Sequence, residues 1–379
     1  MSGQAKNSEA VHLDHVDGLR AIAVLGVVLY HGVVHSTWPL YVQGLAASGS
    51  HGVELFFVIS GLCLAFPFLR SYHRSGDLGF TASAFFAKRA VRILPPYYVV
   101  LVLFGLAALT ALWRAAAARE PQGMTPHLTL PSFAAHFVFA ARMEQLLDAS
   151  FWTLRVEAIW YLLFPLALLA YVRARRVFWL VAAACPLAVL LNLRIPGFGT
   201  SLTMLVALPA FLLGIVAADW LLRRRTAPAW LIGLGVVAAV VAAVWEFRHP
   251  DIDNVRVRIL WDFAAFAFVV LVSRSPAIRS AISTRAAIAV GVASYSIYLI
   301  HEPVVVIAEY LHVPPPLACV VGVAFGFALW WLVERTFTSD RVRRPMVAFV
   351  ERMFSRAAGW RAVRGAPAPA PAAAVEAPQ

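Results

Sequence analysis

The chain has 379 residues, 61% of them hydrophobic and only 14% charged, with a mean hydropathy of +0.75 and a formal net charge of +12. That composition excludes a soluble globular domain of this length and points to a polytopic membrane protein. The positive balance does not call for a nucleic-acid partner, because in a membrane protein the cations follow topology.

Residues 1–12 are polar and predict a loose leading segment, 13–355 a single transmembrane domain, and 356–379 an Ala/Pro-rich tail with too little apolar content to fold. Ten stretches are long or apolar enough to predict spans: 18–35, 52–69, 95–113, 152–171, 177–192, 200–222, 229–247, 257–273, 288–310 and 316–334. The fold class expected is therefore all-α, a polytopic helical bundle of about ten transmembrane helices. No stretch alternates as a membrane β-barrel does.

The first span opens at Arg20 and carries His31 eleven residues later. Eleven steps of about 100° come to roughly three turns plus 20°, so the two share a face, about 16 Å apart along the axis. Ionisable groups at membrane depth mark a pathway or a reaction site. This helix lacks a small-residue cleavage site and is not expected to be a removable signal. Glu54 follows at the start of the second span, at a depth similar to His31 if the first two helices run antiparallel. Ser60 and Gly61 in that span favour close helix packing, since no nucleophile elbow surrounds the serine.

The longest inside loop, Arg70 to Leu94, ends in Lys88-Arg89-Ala90-Val91-Arg92. Arg89 and Arg92 are neighbours on one helical face just before Pro95-Pro96, and two such guanidiniums suit a diphosphate or ribose phosphate. The largest outside loop, Arg114 to Ser150, contains an amphipathic stretch, Phe133 to Leu147, placed to lie at the membrane surface. In the fourth span Trp152, Glu157 and Tyr161 follow, with Glu157 and Tyr161 on one face and Arg155 available to neutralise the acid. Late in the chain Tyr295, Tyr298 and His301 recur every third residue, a spacing that either lines a cavity or packs the bundle.

With ten spans and an inside amino terminus, 23 of the 32 Lys and Arg fall on the inner side, which predicts both termini in the cytoplasm of a multi-pass plasma-membrane protein touching anionic lipid. Cys63, Cys185 and Cys319 lie in predicted spans without paired spacing and imply no disulfides. His31 and His35 stand four apart, but no third ligand follows at zinc-like spacing, so no metal is expected. Gly-rich phosphate loops and nucleic-acid modules are absent from the sequence.

Five stretches, in order, resemble the membrane acyltransferase-3 family: Asp14-His15-Val16-Asp17-Gly18-Leu19-Arg20 running into Tyr30-His31; His51-Gly52-Val53-Glu54 through Ser60-Gly61; Arg89-Ala90-Val91-Arg92 with Pro95-Pro96-Tyr97; Trp152-Thr153-Leu154-Arg155-Val156-Glu157 with Tyr161; and Ser294-Tyr295-Ser296-Ile297-Tyr298-Leu299-Ile300-His301. The resemblance spans about residues 13 to 335 and implies O-acyl transfer from acyl-CoA, acetyl-CoA above all, to a hydroxyl of a carbohydrate or cell-envelope glycan. It implies that Arg20, Arg89 and Arg92 hold CoA, and that Trp152, Glu157 and Tyr161, with Tyr295, Tyr298 and His301, touch the acceptor or shape its pocket. His31 is then expected as the general base and Glu54, where the family often has Asp, as the acid on its other ring nitrogen. Two other readings stay open: acylation of a small lipophilic glycoside, and a transporter with an Arg/His/Glu gate.

Overall fold

A computed structural model describes residues 14–34, 36, 38–119, 124–142, 145–191, 201–223, 228–249 and 255–358. The expected loose ends fall largely on 1–13 and 359–379, outside the described residues, as does His35. Among the described residues the chain is all helix, without a strand. In order the helices are α1 (Asp14–Val34), α2 (Leu40–Ala47), α3 (Gly52–Ser75), α4 (Ala82–Ala107), α5 (Ala111–Arg119), α6 (Leu130–His136), α7 (Phe151–Arg173), α8 (Arg175–Leu190), α9 (Ser201–Leu222), α10 (Ala229–Arg248), α11 (Val255–Arg274), α12 (Pro276–Ile282), α13 (Arg285–Val292), α14 (Ser294–Tyr310), α15 (Pro315–Leu329), α16 (Arg335–Thr338) and α17 (Asp340–Ala358).

Local chemistry sets several of these ends. Asp14 and Asp17 occupy the first turn of α1 and His31 the last, each favourable to the helix dipole. Gly76 ends α3 in the left-handed region at φ 74°, its N–H donating to the Tyr72 carbonyl. Thr129 and Ser132 form a capping box that starts α6.

Among the described residues each of the ten predicted spans contains helix, but six meet the length and hydropathy of a membrane crossing: Asp14–Val33, Tyr41–Ser75, Ala82–Ala107, Phe151–Arg173, Ala229–Arg248 and Pro315–Thr338. A seventh arises if α13 and α14, bent by 72° at their junction, cross together. The chain is thus a multi-pass membrane bundle. α8 has 16 residues and α11 carries Arg256, Arg258 and Asp262, which is why these two fall short.

Two boundaries differ from expectation. The third span begins at Ala82, not near Pro95, because α4 passes through Pro95 and Pro96 and takes Arg89 and Arg92 into the helix itself. The stretch Phe133 to Leu147 is no continuous surface helix. α6 stops at His136, and the Tyr97 hydroxyl donates to the His136 carbonyl at 2.8 Å, pinning the following turn against α4.

The centre of the bundle is the crossing of α3 and α9. Gly61 lies against the backbone of Phe211 and Gly214, and Gly214 against Val58, so a Cβ at either glycine would strike main chain. Around it Val58, Leu62, Phe164, Phe211, Ile215 and Val269 are buried in one apolar cluster that also takes in Leu19, Val24 and Val28 of α1. A second cluster, with Tyr97, Trp113, Leu147, Phe151 and Leu299, seats the described residues between 111 and 150 on α4, α7 and α14. Near the other ends of α3, α7, α8 and α9, Asp219 gathers His73 at 2.7 Å, the Tyr171 hydroxyl at 2.7 Å, Arg175 at 3.2 Å and Arg223 at 2.9 Å. Part of the basic clustering is therefore spent clamping four helices.

Candidate functional site

α1, α3, α4, α7 and α14 enclose a cavity of about 830 Å³, counting its open end. Arg20 reaches it from α1 and Arg89 and Arg92 from α4, while Glu157, Tyr161, Tyr295 and Tyr298 come from α7 and α14. Seven of the residues singled out in the sequence thus meet in one space. The rest of the wall is mostly apolar, including Val53, Phe56, Leu64 and Ile93.

The three guanidiniums are held differently. Arg20 pairs with Asp17 at 3.1 Å and approaches the Cys63 sulfur at 3.7 Å, its side chain 19% exposed. Arg89 lies with its guanidinium 6.0 Å from the Phe85 ring, and its buried Nε has no hydrogen-bond partner. Arg92 is exposed, so the cationic end of the cavity reaches the surface. A buried guanidinium N–H without an acceptor is costly unless an anion arrives to accept it. Glu157 accepts from the Tyr161 hydroxyl rather than from Arg155, and all three cavity arginines act on its charge. Glu334, at the end of a π-helical turn, Trp330–Glu334, also faces Arg92 and Arg20 electrostatically and accepts from Ser296 at 2.5 Å. Sequence gave no sign of it, since a π turn has no simple residue pattern; such turns recur at functional sites.

His31 is not in the wall of that cavity. The boundary is Tyr298, which lines it, accepts from Thr153 at 2.9 Å and donates to the Ser150 carbonyl at 3.3 Å. Behind Tyr298 stands His301, ring centroids 5.6 Å apart, and His301 Nε2 is 3.0 Å from His31 Nδ1. His31 is therefore linked to the cavity-lining Tyr298 through His301 and does not itself line the cavity. His301 is fully buried, whereas the His31 side chain is 16% exposed.

The expected pairing of Glu54 with His31 is also replaced. Glu54 accepts from Arg258 at 2.9 Å and lies 3.0 Å from His51, whose other nitrogen meets Glu246. Arg258 sits over the Trp152 ring at 5.5 Å, so Trp152 joins this network instead of the cavity wall. The physical reason is α11, which inserts Arg258 beside the start of α3; a permanent cation outcompetes a more distant imidazole. Among the described residues the carboxylate beside His31 is Glu302, with Oε1 3.6 Å from Nε2. Its other oxygen accepts from the Ser150 N–H at 2.8 Å and hydroxyl at 2.5 Å. Glu302 follows His301 directly, and a carboxylate in an apolar span was a signal that sequence reading could have used.

Among the described residues no group of three or more His, Cys, Asp or Glu is arranged to hold a metal ion. A family model described as an acyltransferase domain matches residues 13–335. O-acetyltransferase OatA of Staphylococcus aureus (strain NCTC 8325 / PS 47) is 23% identical over 333 residues, covering 80% of this chain and 52% of OatA. A candidate O-acetyltransferase of Staphylococcus aureus (strain COL) is 35% identical over 107 residues, 28% of this chain and 16% of that protein. The chain accordingly spans about half the length of OatA and a smaller part of the second relative. No solved structure matches it. The match over residues 13–335 takes in every motif that builds the arginine-lined cavity, and this chain belongs to the membrane acyltransferase-3 family.

Proposed function

We propose that the chain is a plasma-membrane O-acyltransferase that moves an acetyl group from acetyl-CoA to a hydroxyl of a carbohydrate or cell-envelope glycan. The observation that carries this reading is the convergence of Arg20, Arg89 and Arg92 on one cavity, with a buried Arg89 N–H awaiting an acceptor. Charge-assisted hydrogen bonds from that set suit the phosphates of CoA, with Arg92 outermost and Arg20 innermost. Counted on ten spans, the positive-inside distribution supports a cytoplasmic origin for the donor and cytoplasmic termini. The apolar wall beyond the arginines suits a pantetheine arm, and Glu157, Tyr161 and Tyr295 shape the space around the acyl end.

In the reaction the acceptor oxygen attacks the thioester carbon, the C–S bond breaks, and the proton leaving the hydroxyl passes to His31 and then to the CoA thiolate. Glu54, held by Arg258 and His51, organises the rim of α3 and α11 rather than the base. The small exposed part of His31 is where the acceptor arrives, and movement of Tyr298 joins it to the donor cavity.

The test is acetyl-CoA binding by the protein in nanodiscs, followed calorimetrically. Replacing Arg89 or Arg92 by Ala should weaken binding roughly tenfold or more, the loss expected for a charged hydrogen bond worth about 1.5–3 kcal/mol. Unchanged affinity in both variants removes CoA from this cavity. A matching comparison of the cell's glycans by mass spectrometry, with and without active protein, should show one acetyl increment missing.

A further inference from the structure

We infer that Glu302 is the positioning acid of the acyl-transfer site and acts on the protonated form of His31, an inference that rests on the acyltransferase reading. The argument begins with ring protons. His301 Nδ1 lies 2.8 Å from the Tyr298 carbonyl, which only accepts, so that nitrogen carries the proton. In a neutral His301 ring Nε2 then has a lone pair, and it faces His31 Nδ1 at 3.0 Å. His31 Nδ1 also faces the Val27 carbonyl at 3.1 Å. Two acceptors on one nitrogen place the His31 proton on Nδ1, which leaves Nε2 as the basic atom.

Nε2 is the atom nearest Glu302. The separation of 3.6 Å is too long for a hydrogen bond, as expected of two lone pairs, yet within ion-pair range. When Nε2 takes the acceptor's proton it becomes a donor, and the carboxylate then gains a partner it lacked in the resting state. Stabilisation that appears only as the proton moves lowers the barrier without tightening substrate binding.

The surroundings of Glu302 keep the negative charge on it. It receives the N–H and hydroxyl of Ser150, the residue before α7, so it sits at the positive end of that helix. Asp148 lies beside it in the preceding loop, fully buried. Burial and the adjacent Glu302 hold the Asp148 carboxyl well above the usual carboxylate range, which favours the negative charge residing on Glu302.

The proton chain is closed. One proton leaves the acceptor hydroxyl, resides on His31 Nε2 opposite Glu302, and returns to the CoA sulfur, so no external acid or base is consumed.

The test uses membrane vesicles of the source cell carrying the full chain, with radiolabelled acetyl-CoA supplied and label counted in the glycan fraction. Wild-type turnover is measured first; its absence overturns the acyltransferase reading and this inference with it. With the wild type active, Glu302→Gln should lower kcat by roughly a hundredfold while the KM for acetyl-CoA stays within about twofold, the pattern of a lost transition-state interaction. Glu302→Asp keeps the charge one methylene further from Nε2 and should recover part of kcat. Full turnover in Glu302→Gln overturns the inference, as does a loss in Glu302→Gln and Glu302→Asp alike that appears in KM. Loss of kcat in Glu54→Gln with none in Glu302→Gln returns the role to Glu54.

Discussion

The arginines line the cavity and His31 does not, so the proposed roles in binding and in chemistry fall on separate residues. In consequence His31→Ala should leave acetyl-CoA affinity within about twofold of the wild type and lower transfer by about 10²–10⁴, the usual contribution of a general base. Calorimetry and a label-transfer assay on the same preparation check both halves. Near-normal turnover in that variant would remove His31 from the reaction. The cavity arginines were legible in the sequence because ionisable groups are rare at membrane depth and stand out against an apolar background. Their partners were not. Whether His31 faces Glu54 or Glu302 depends on which helix packs beside the end of α1, and α14 lies 270 residues further on. Trp152 likewise stood in the right motif, but its contact with Arg258 is made across α11.

Secondary elements were largely readable, with errors at prolines and at close contacts. Pro95 and Pro96 read as a helix start because proline suits the first turn of a helix. α4 instead continues through them, and neighbouring helices in a membrane bundle readily satisfy the backbone groups that proline frees. The Ser60-Gly61 pair was correctly read as a packing site, and the structure supplies its counterpart, Gly214 on α9. Gly61→Val should push α3 and α9 apart and destabilise the bundle by about 1–3 kcal/mol or more, since backbone has no room to yield. A lowered thermal midpoint in detergent, with Ser60→Ala near the wild-type value, tests this. Equal midpoints for Gly61→Val and the wild type would mean that the crossing tolerates a side chain.

At the scale of the whole molecule, the all-helical architecture followed from composition, whereas the number of crossings did not. Hydropathy marks apolar helices without distinguishing those that cross fully from short ones such as α8 or bent pairs such as α13 and α14. Arg258 of α11 is paired inside the bundle with Glu54, so its charge tells little about the lipid boundary. The exposed apolar side chains of α10, among them Leu234, Val237, Val241 and Val244, are the kind of surface that meets lipid.

The aromatic wall at Tyr298 also bears on idle enzyme. On the proposed function, a loaded thioester with no acceptor present is exposed to hydrolysis wherever water can reach a base, and the Tyr298 phenol, tethered through Thr153 and Ser150, lines the cavity beside His301. Opening that barrier with Tyr298→Ala should raise wasteful release of free acetate several-fold while glycan labelling falls, a partition read directly from acetate and CoA thiol yields. Economy of acetyl groups between encounters with acceptor would then reside in one side chain.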